Sequence, residues 1–355
     1  MMDNLRIESF TILQLLEDPE ALLRYDDPSG YVTGCTPEWT SKLRDNPAAT
    51  DNDLVMIAAI DGKTVVGRLG LIAGRVHVQG KLLNTHWLSG FFLMDAYKPS
   101  GIGAFMILKA INHSQCLMLS GAPRQDARDL YQKVGFVELG PLRRMVYVFR
   151  PRVVFERYLK NTVLAAAAGT LATPLAMVYY NTGRRGPQTQ LSFISVKHFA
   201  PDLDTLLQGR TENHFPRDAS TLNWALGITS GMRAFELRQH GRLRGYCILR
   251  IRQEGPSGPP HNLPPMSVCS ILDYYIELST EADLRAVLDF GIRHGRRNGA
   301  DVLEWQINNS NAAKVCSERR LRWLGGDRVM LRAPRNISPS GEWNLTQAEG
   351  DVLLW

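Results

Sequence analysis

Eight uncharged residues, Trp87 to Met94, lead through one glycine-rich turn, "DAYKPSGIG", into a second apolar segment that starts at Ala104. The first run is short and aromatic-rich and reads as a buried strand. The second repeats apolar residues at Phe105, Leu108 and Ile111 and reads as a helix with that stripe turned inward. The unit is therefore strand, tight loop, helix, which commits the chain to a layered α/β arrangement. The first turn of a helix carries N–H groups without partners and a partial positive charge. Gly101 and Gly103 remove the side chains that would hold an anion away from them. A phosphate or pyrophosphate is the guest this turn predicts.

The elements around this unit can be read in order. "DLVMIAAIDGKTVVGRLGLI" is two apolar runs joined by Asp61-Gly62, a hairpin signal that predicts antiparallel strands. After the glycine turn the helix is expected to run to about His113, and a short strand follows from Cys116. A second helix then puts Ala127, Leu130, Tyr131 and Val134 on one face, with Gly135 as its C-cap, before a strand from Phe136. Two parallel strands separated by a helix, with an anion site between them, make a ligand cleft.

The second half repeats this order from Asp273 onward as strand, helix, strand, helix and a last strand, "DRVMLRAP". Its first helix is expected to bury Leu284, Val287, Leu288 and Ile292 and to expose Asp283, Arg285, Asp289 and Arg293. Ser279-Thr280, followed by Glu281 and Asp283, stands where the glycines stood and reads as an acid-rich helix cap. Carboxylates there fill the place of a phosphate and repel it.

With 355 residues, 44% of them hydrophobic and 21% charged, the chain is long enough for two domains. The expected division is 1–150, a connecting segment over 151–190, and 191–355. The formal net charge of +6 comes from basic residues spread along the sequence, which reads as a solvated face. No finger, helix-turn-helix or aromatic ribonucleoprotein signature is visible, so nucleic acid is not an expected partner. Cys35, Cys116, Cys247, Cys269 and Cys316 lack metal-binding spacing and read as reduced, mostly buried thiols. The N-terminus mixes acids with apolar residues and lacks a secretory pattern, which leaves a cytoplasmic location as the default.

From Thr162 to Tyr180 the chain is uncharged, between Lys160 and the pair Arg184, Arg185. It is close to the minimum length for a membrane span, but alanine and threonine dominate it and Gly169 and Pro174 interrupt it, so a connecting helix, or one lying on a membrane surface or a partner, is expected there ahead of a span.

Two of these segments carry a family resemblance. "YKPSGIGA" resembles the phosphate loop of the GNAT acyltransferase superfamily, matched by Lys98, Gly101 and Gly103, with Lys98 in place of the usual Arg or Gln. "ARDLYQKVGF" resembles the superfamily's later Leu-Tyr helix motif, matched by Leu130, Tyr131, Gly135 and Phe136, though Arg124 stands where an asparagine is usual. The resemblance implies two tandem GNAT-like units of mixed, mostly antiparallel sheet flanked by helices, the first intact and the second degenerate, packed so as to share a substrate cleft. It implies an acyl-CoA such as acetyl-CoA as the cofactor, its pyrophosphate on the backbone of Gly101, Ile102, Gly103 and Ala104, and its pantetheine arm along Leu93 and Met94. Tyr131 would protonate the departing thiolate, with His86 and Asp95 as candidate bases.

The expected activity is transfer of an acyl group, acetyl in the first instance, to a small-molecule amine such as an amino sugar or sugar nucleotide. "FPRDASTLNWAL" and "EWNLTQAEGD" resemble segments of tandem proteins associated with surface-polysaccharide synthesis. A non-catalytic protein that keeps the fold, placed at a membrane surface through 162–180, is the alternative.

Overall fold

The structure, a computed structural model, describes residues 4–30, 36–121, 125–159, 162–182, 189–208, 210, 212–255 and 265–348. Cys35, Arg124, Lys160, Arg184 and Arg185, named above, lie outside them. The first half runs β1 (Leu5–Thr11), α1 (Ile12–Glu17), α2 (Pro37–Arg44), β2 (Leu54–Asp61), β3 (Thr64–Val78), β4 (Lys81–Leu93), α3 (Ile102–His113), β5 (Cys116–Gly121), α4 (Gln125–Lys133) and β6 (Val137–Val148). Two helices, α5 (Pro151–Tyr158) and α6 (Thr162–Asn181), lead to the second half. That half runs β7 (Ser192–Val196), α7 (Asp202–Leu207), β8 (Asn213–His214), α8 (Ala219–Ile228), β9 (Met232–Gln239), β10 (Arg242–Glu254), β11 (Met266–Ile276), α9 (Glu281–Arg297), β12 (Val302–Ile307), α10 (Ser310–Glu318), β13 (Arg322–Arg332) and β14 (Trp343–Asn344).

The two units are present in the predicted order, and their sheets join into one. The strand order is β1-β2-β3-β4-β5-β13-β6-β12-β11-β10-β9-β7. β13, from the second half, lies between β5 and β6, while β6 lies between β13 and β12. The first half thus gives β6 to the strands of the second, and the second gives β13 to β5 of the first. The Asp61-Gly62 hairpin forms as its sequence predicts, with Asp61 opposite Thr64 and Gly62 at φ 60°.

Helix α3 packs on the sheet through Ile102, Gly103, Met106, Ile107 and Ala110, against Leu69, Leu71, Leu88 and Leu117. This corrects the expected inward stripe, because Phe105 and Leu108 face solvent. The helix is apolar on nearly every side, so periodicity alone does not choose the buried face. Arg285 is also a correction. It is buried and paired with Glu318 rather than exposed, whereas Leu284, Val287, Leu288 and Ile292 are buried as expected.

Cys116, Cys247, Cys269 and Cys316 are free and buried. Arg217, Asp218, Asn223 and Trp224 do structural work. Arg217 pairs with buried Asp273 at 2.6 Å and Asp218 caps α8 on the Thr221 N–H. Asn223 bonds the Phe199 backbone in both directions, and the Trp224 indole donates to the Lys42 carbonyl across the two halves.

Helix α6 packs with its small residues inward. Ala165 is buried, and a side chain at Gly169 would run into the Arg152 backbone. Its large apolar residues, Val163, Leu164, Leu171, Leu175 and Val178, point outward. The window Val163–Tyr180 has a mean hydropathy of 1.5, long and apolar enough by composition to cross a membrane, and only 18% of it is buried.

Candidate functional site

The cleft in the first half follows from how β4 and β5 part. They pair in parallel only from Thr85 to Trp87, opposite Cys116 to Met118. On its other edge β5 pairs with β13 from Leu117 to Gly121, and past Trp87 the edge of β4 that faced β5 stands open from Leu88 to Leu93. Between Ser89 and Phe92, β4 has one residue more than β3, and Gly90 adopts φ 56° there, so the strand bulges. Buried Arg68 fixes the bulge. Its guanidinium donates to the Gly90 carbonyl and to the Ser29 hydroxyl and lies 5.6 Å from the Phe92 ring. The resulting cavity is about 660 Å³ and is lined by the β4 edge, the turn before α3, the end of β5 and the inner face of α4.

The turn behaves much as its glycines predict. Gly101 sits at φ 78°, a left-handed conformation with open space around it, and caps the start of α3. The Ala104 and Phe105 N–H groups close the first turn on the Gly101 carbonyl at 3.0 and 3.2 Å. Of the N–H groups ahead of that turn, Ile102's is already donated to the Ser100 hydroxyl at 3.4 Å, which leaves those of Gly101 and Gly103, and Ala104 lines the cavity without offering its N–H. Gly103 has a second role. A Cβ there would lie 3.1 Å from Phe91 and 3.5 Å from Leu93, so its smallness also lets α3 sit down on β4. The Met94 N–H is already donated to the Val66 carbonyl, which leaves Leu93 as the nearer open edge. Lys98 lines the cavity and is paired with Asp95, whose carboxylate is almost fully exposed.

Tyr131 reaches the same cavity from α4. Its ring is 4% exposed and meets Phe136 and Phe91 edge-on, with centroids 5.2 and 6.4 Å away. Among the described residues no hydrogen-bond partner meets its hydroxyl. Burial pushes that hydroxyl well above the ordinary tyrosine range, so it stays protonated at neutral pH. The helix ends as its sequence predicts, with Gly135 at φ 93° and the Phe136 N–H on the Tyr131 carbonyl.

His86 does not join this group. It lies where β4 still pairs with β5, near the far end of α3. There Nε2 meets Asp53 at 3.1 Å and Nδ1 meets the Ser114 hydroxyl at 2.9 Å. Asp53, His86 and His113 have ligand atoms within 4.8 Å of one another. The His86 and Asp53 contacts are already satisfied within the protein, and the His113 Nε2 accepts the Leu54 N–H. Leu88, Gly90 and the Leu119–Gly121 wall are site features the sequence reading missed. A single glycine inside a strand was the signal available for the bulge.

A sheet that opens between two parallel strands, once beside the glycine turn of α3 and once beside the Thr280 cap of α9, is the fold shared by GCN5-related N-acetyltransferases and N-myristoyltransferases. Among solved structures the chain is similar to Saccharomyces cerevisiae N-myristoyltransferase with bound myristoyl-CoA (TM-score 0.59, 11% identity, 98% of this chain and 84% of that one). It is also similar to GCN5-related N-acetyltransferases from Anabaena variabilis (TM-score 0.53, 12% identity, 92% and 72%) and Kribbella flavida (TM-score 0.51, 10% identity, 93% and 71%). No protein-family model and no curated protein matches the sequence.

Proposed function

We propose that the chain is an acyl-CoA-dependent N-acyltransferase acting on a small-molecule amine. The observation that carries this reading is the placement of three features around one cavity: the open β4 edge, the first turn of α3 and the Tyr131 hydroxyl. The turn receives the diphosphate of the acyl-CoA through its N–H groups, and the edge at Leu93 pairs with the pantetheine amides as an added strand does. The bound myristoyl-CoA of the yeast neighbour supports that choice of donor. The amine attacks the thioester carbonyl and gives up its proton to solvent. The carbon–sulfur bond then breaks, the leaving sulfur takes the Tyr131 proton, and Tyr131 recovers a proton from solvent once the free thiol departs. Positioning of the amine beside the thioester supplies most of the acceleration.

Equilibrium dialysis with acetyl-CoA tests the binding half, with Ala104→Glu as the diagnostic variant. A carboxylate in the first turn of a helix favours folding but repels a phosphate. The variant should keep its melting temperature and bind acetyl-CoA at least about tenfold more weakly, roughly 1.4 kcal/mol. Equal binding by both proteins would remove the site assignment. Thiol release with a panel of amines, amino sugars first, then tests turnover. Acetyl-CoA binding without release for any amine favours a non-catalytic role.

The same reading places α6 on an anionic lipid surface. It is supported by the outward Val163, Leu171 and Leu175, by exposed Trp323, and by Arg320 and Arg322 over the Tyr179 ring at the end of the helix. Flotation with phosphatidylserine vesicles should carry the protein up. Leu171→Glu with Leu175→Glu should leave it behind, and equal flotation of the two proteins would end this part of the proposal.

A further inference from the structure

The second half contains its own opening between parallel strands. β11 pairs with β12 only from Val268 to Ile271, opposite Val302 to Trp305, and the two part beyond that point, as β4 and β5 do. The equivalence extends to the helix that follows. In α10 the Leu321 N–H bonds the Cys316 carbonyl at 2.9 Å, as the Phe136 N–H bonds the Tyr131 carbonyl at 3.0 Å. Arg320, at φ 61°, stands in the place of Gly135. Cys316 therefore stands where Tyr131 stands. It is fully buried and is not among the residues that line the opening, so this copy presents no counterpart of the Tyr131 hydroxyl at that position.

The opening is not filled. It forms a cavity of about 810 Å³, larger than the one in the first half. Strand directions put the two at opposite ends of the sheet, because β4 and β11 run antiparallel through the chain of pairings that links them. The β3–β4 hairpin tip, which carries Gln79, forms part of the wall. The two openings therefore do not form one shared cleft, contrary to the expectation for tandem units.

The wall is held in place by amide side chains. Asn213 accepts the Gln79 N–H and donates to the Ser340 carbonyl. Asn308 donates to the Trp343 carbonyl and accepts the Leu345 N–H, and Asn309 caps α10. Other polar lining side chains remain unengaged. Among the described residues no hydrogen-bond or ionic partner meets the side chains of Gln79, Asn311 or Asn344, or the carboxylate of Glu342, whereas the Arg210 guanidinium lies over the Tyr275 ring at 5.0 Å. No lysine, arginine or histidine lines the cavity among the described residues. At the α9 end, Thr280 caps the helix on the Asp283 N–H and Glu281 is paired with Lys314, which fills the place a phosphate would take.

We propose that this cavity is a second ligand site, separate from acyl transfer, that binds a hydroxyl-rich small molecule carrying a positive charge, of the amino-sugar class. Amide and hydroxyl side chains both donate and accept, as sugar hydroxyls do, and Glu342 supplies the charge for an ammonium group. Anions are disfavoured by Glu342, because the Arg210 charge behind the wall is neutralised by its pair with Glu212 at 2.7 Å. The site goes beyond the acyltransferase reading and does not depend on it.

Calorimetric titration with glucosamine, glucose and glucose 6-phosphate tests the proposal. Glucosamine should bind, glucose at least about tenfold more weakly, and glucose 6-phosphate not measurably. Glu342→Gln should weaken glucosamine about tenfold or more and bring it level with glucose, while acetyl-CoA affinity in dialysis stays unchanged. Asn311→Ala should weaken both sugars together. The proposal is overturned by absence of glucosamine heat, by tighter binding of the phosphate, or by glucosamine affinity that neither variant alters.

Discussion

Replacing Tyr131 by phenylalanine removes one oxygen and keeps the ring against Phe91 and Phe136. The hydroxyl meets no partner among the described residues, so its loss breaks no protein hydrogen bond and spares the desolvation of a polar group. The melting temperature should therefore hold or rise slightly. Catalysis should respond differently. General acid assistance is typically worth about 10²–10⁴-fold, and a thiolate leaves tolerably well unaided, so a loss of about 10²-fold, roughly 3 kcal/mol of barrier, is expected. Acetyl-CoA affinity should not move. Because burial keeps the hydroxyl protonated, the wild-type rate should show no fall from its ionisation up to the ordinary tyrosine range near pH 10. The assay is thiol release and thermal melting on one preparation of each protein. A variant that melts lower and turns over at the wild-type rate would show that Tyr131 serves packing alone, and the acid role would be withdrawn.

His86→Ala should lower stability by about 1–3 kcal/mol through loss of the Asp53 and Ser114 contacts, with turnover per folded molecule unchanged. A rate loss without destabilisation would restore His86 as a base candidate. Glu304, buried on β12, accepts from Arg252, Ser270 and Gln347 and pairs with Arg144 of β6. Glu304→Ala should cost about 3–5 kcal/mol in a denaturant melt, since it leaves two arginines facing an empty place. Burial alone would raise the Glu304 pKa, but Arg252 and Arg144 outweigh it and hold it down to about 2. This depressed value contributes stability above the unfolded pKa near 4.3, and that stability is lost as pH falls toward 2. A melting temperature indifferent to pH between about 5 and 2 would contradict that assignment.

Local features of the fold were legible because local chemistry fixes them. The Asp61-Gly62 hairpin, the Gly101 turn, the Gly135 cap and the Thr280 cap each follow from conformations that few residues supply. The buried side of α3 was not legible, because Phe105 and Leu108 are as apolar as Met106 and Ile107. His86 was placed at the cleft on its strand alone, and the strand does not say where β4 and β5 part. The place of α10 in the repeated order was legible, but the correspondence of Cys316 to Tyr131 was hidden by Arg320, which occupies a position where glycine announces a helix end. The spacing Asn309, Ala312, Val315, Cys316 was the signal left to find it. The exchange of β6 and β13 joins residues nearly two hundred positions apart, as Glu138 and Arg328 show, and no local pattern encodes such a pairing.

That exchange sets an order of events during synthesis. Both sheet neighbours of β6 come from the second half, and β13 is made long after β5 and β6 have emerged. Until it arrives, β5 presents a bare edge along Leu117 to Gly121, and β6 has no strand partner at all. A nascent first half is therefore a sticky intermediate, open to pairing with a neighbouring chain. Closing the sheet is a long-range step with a large loop to organise, which makes it slow. The middle of the molecule is therefore the last part of the sheet to close, and its two waiting strands are the ones another chain could pair with.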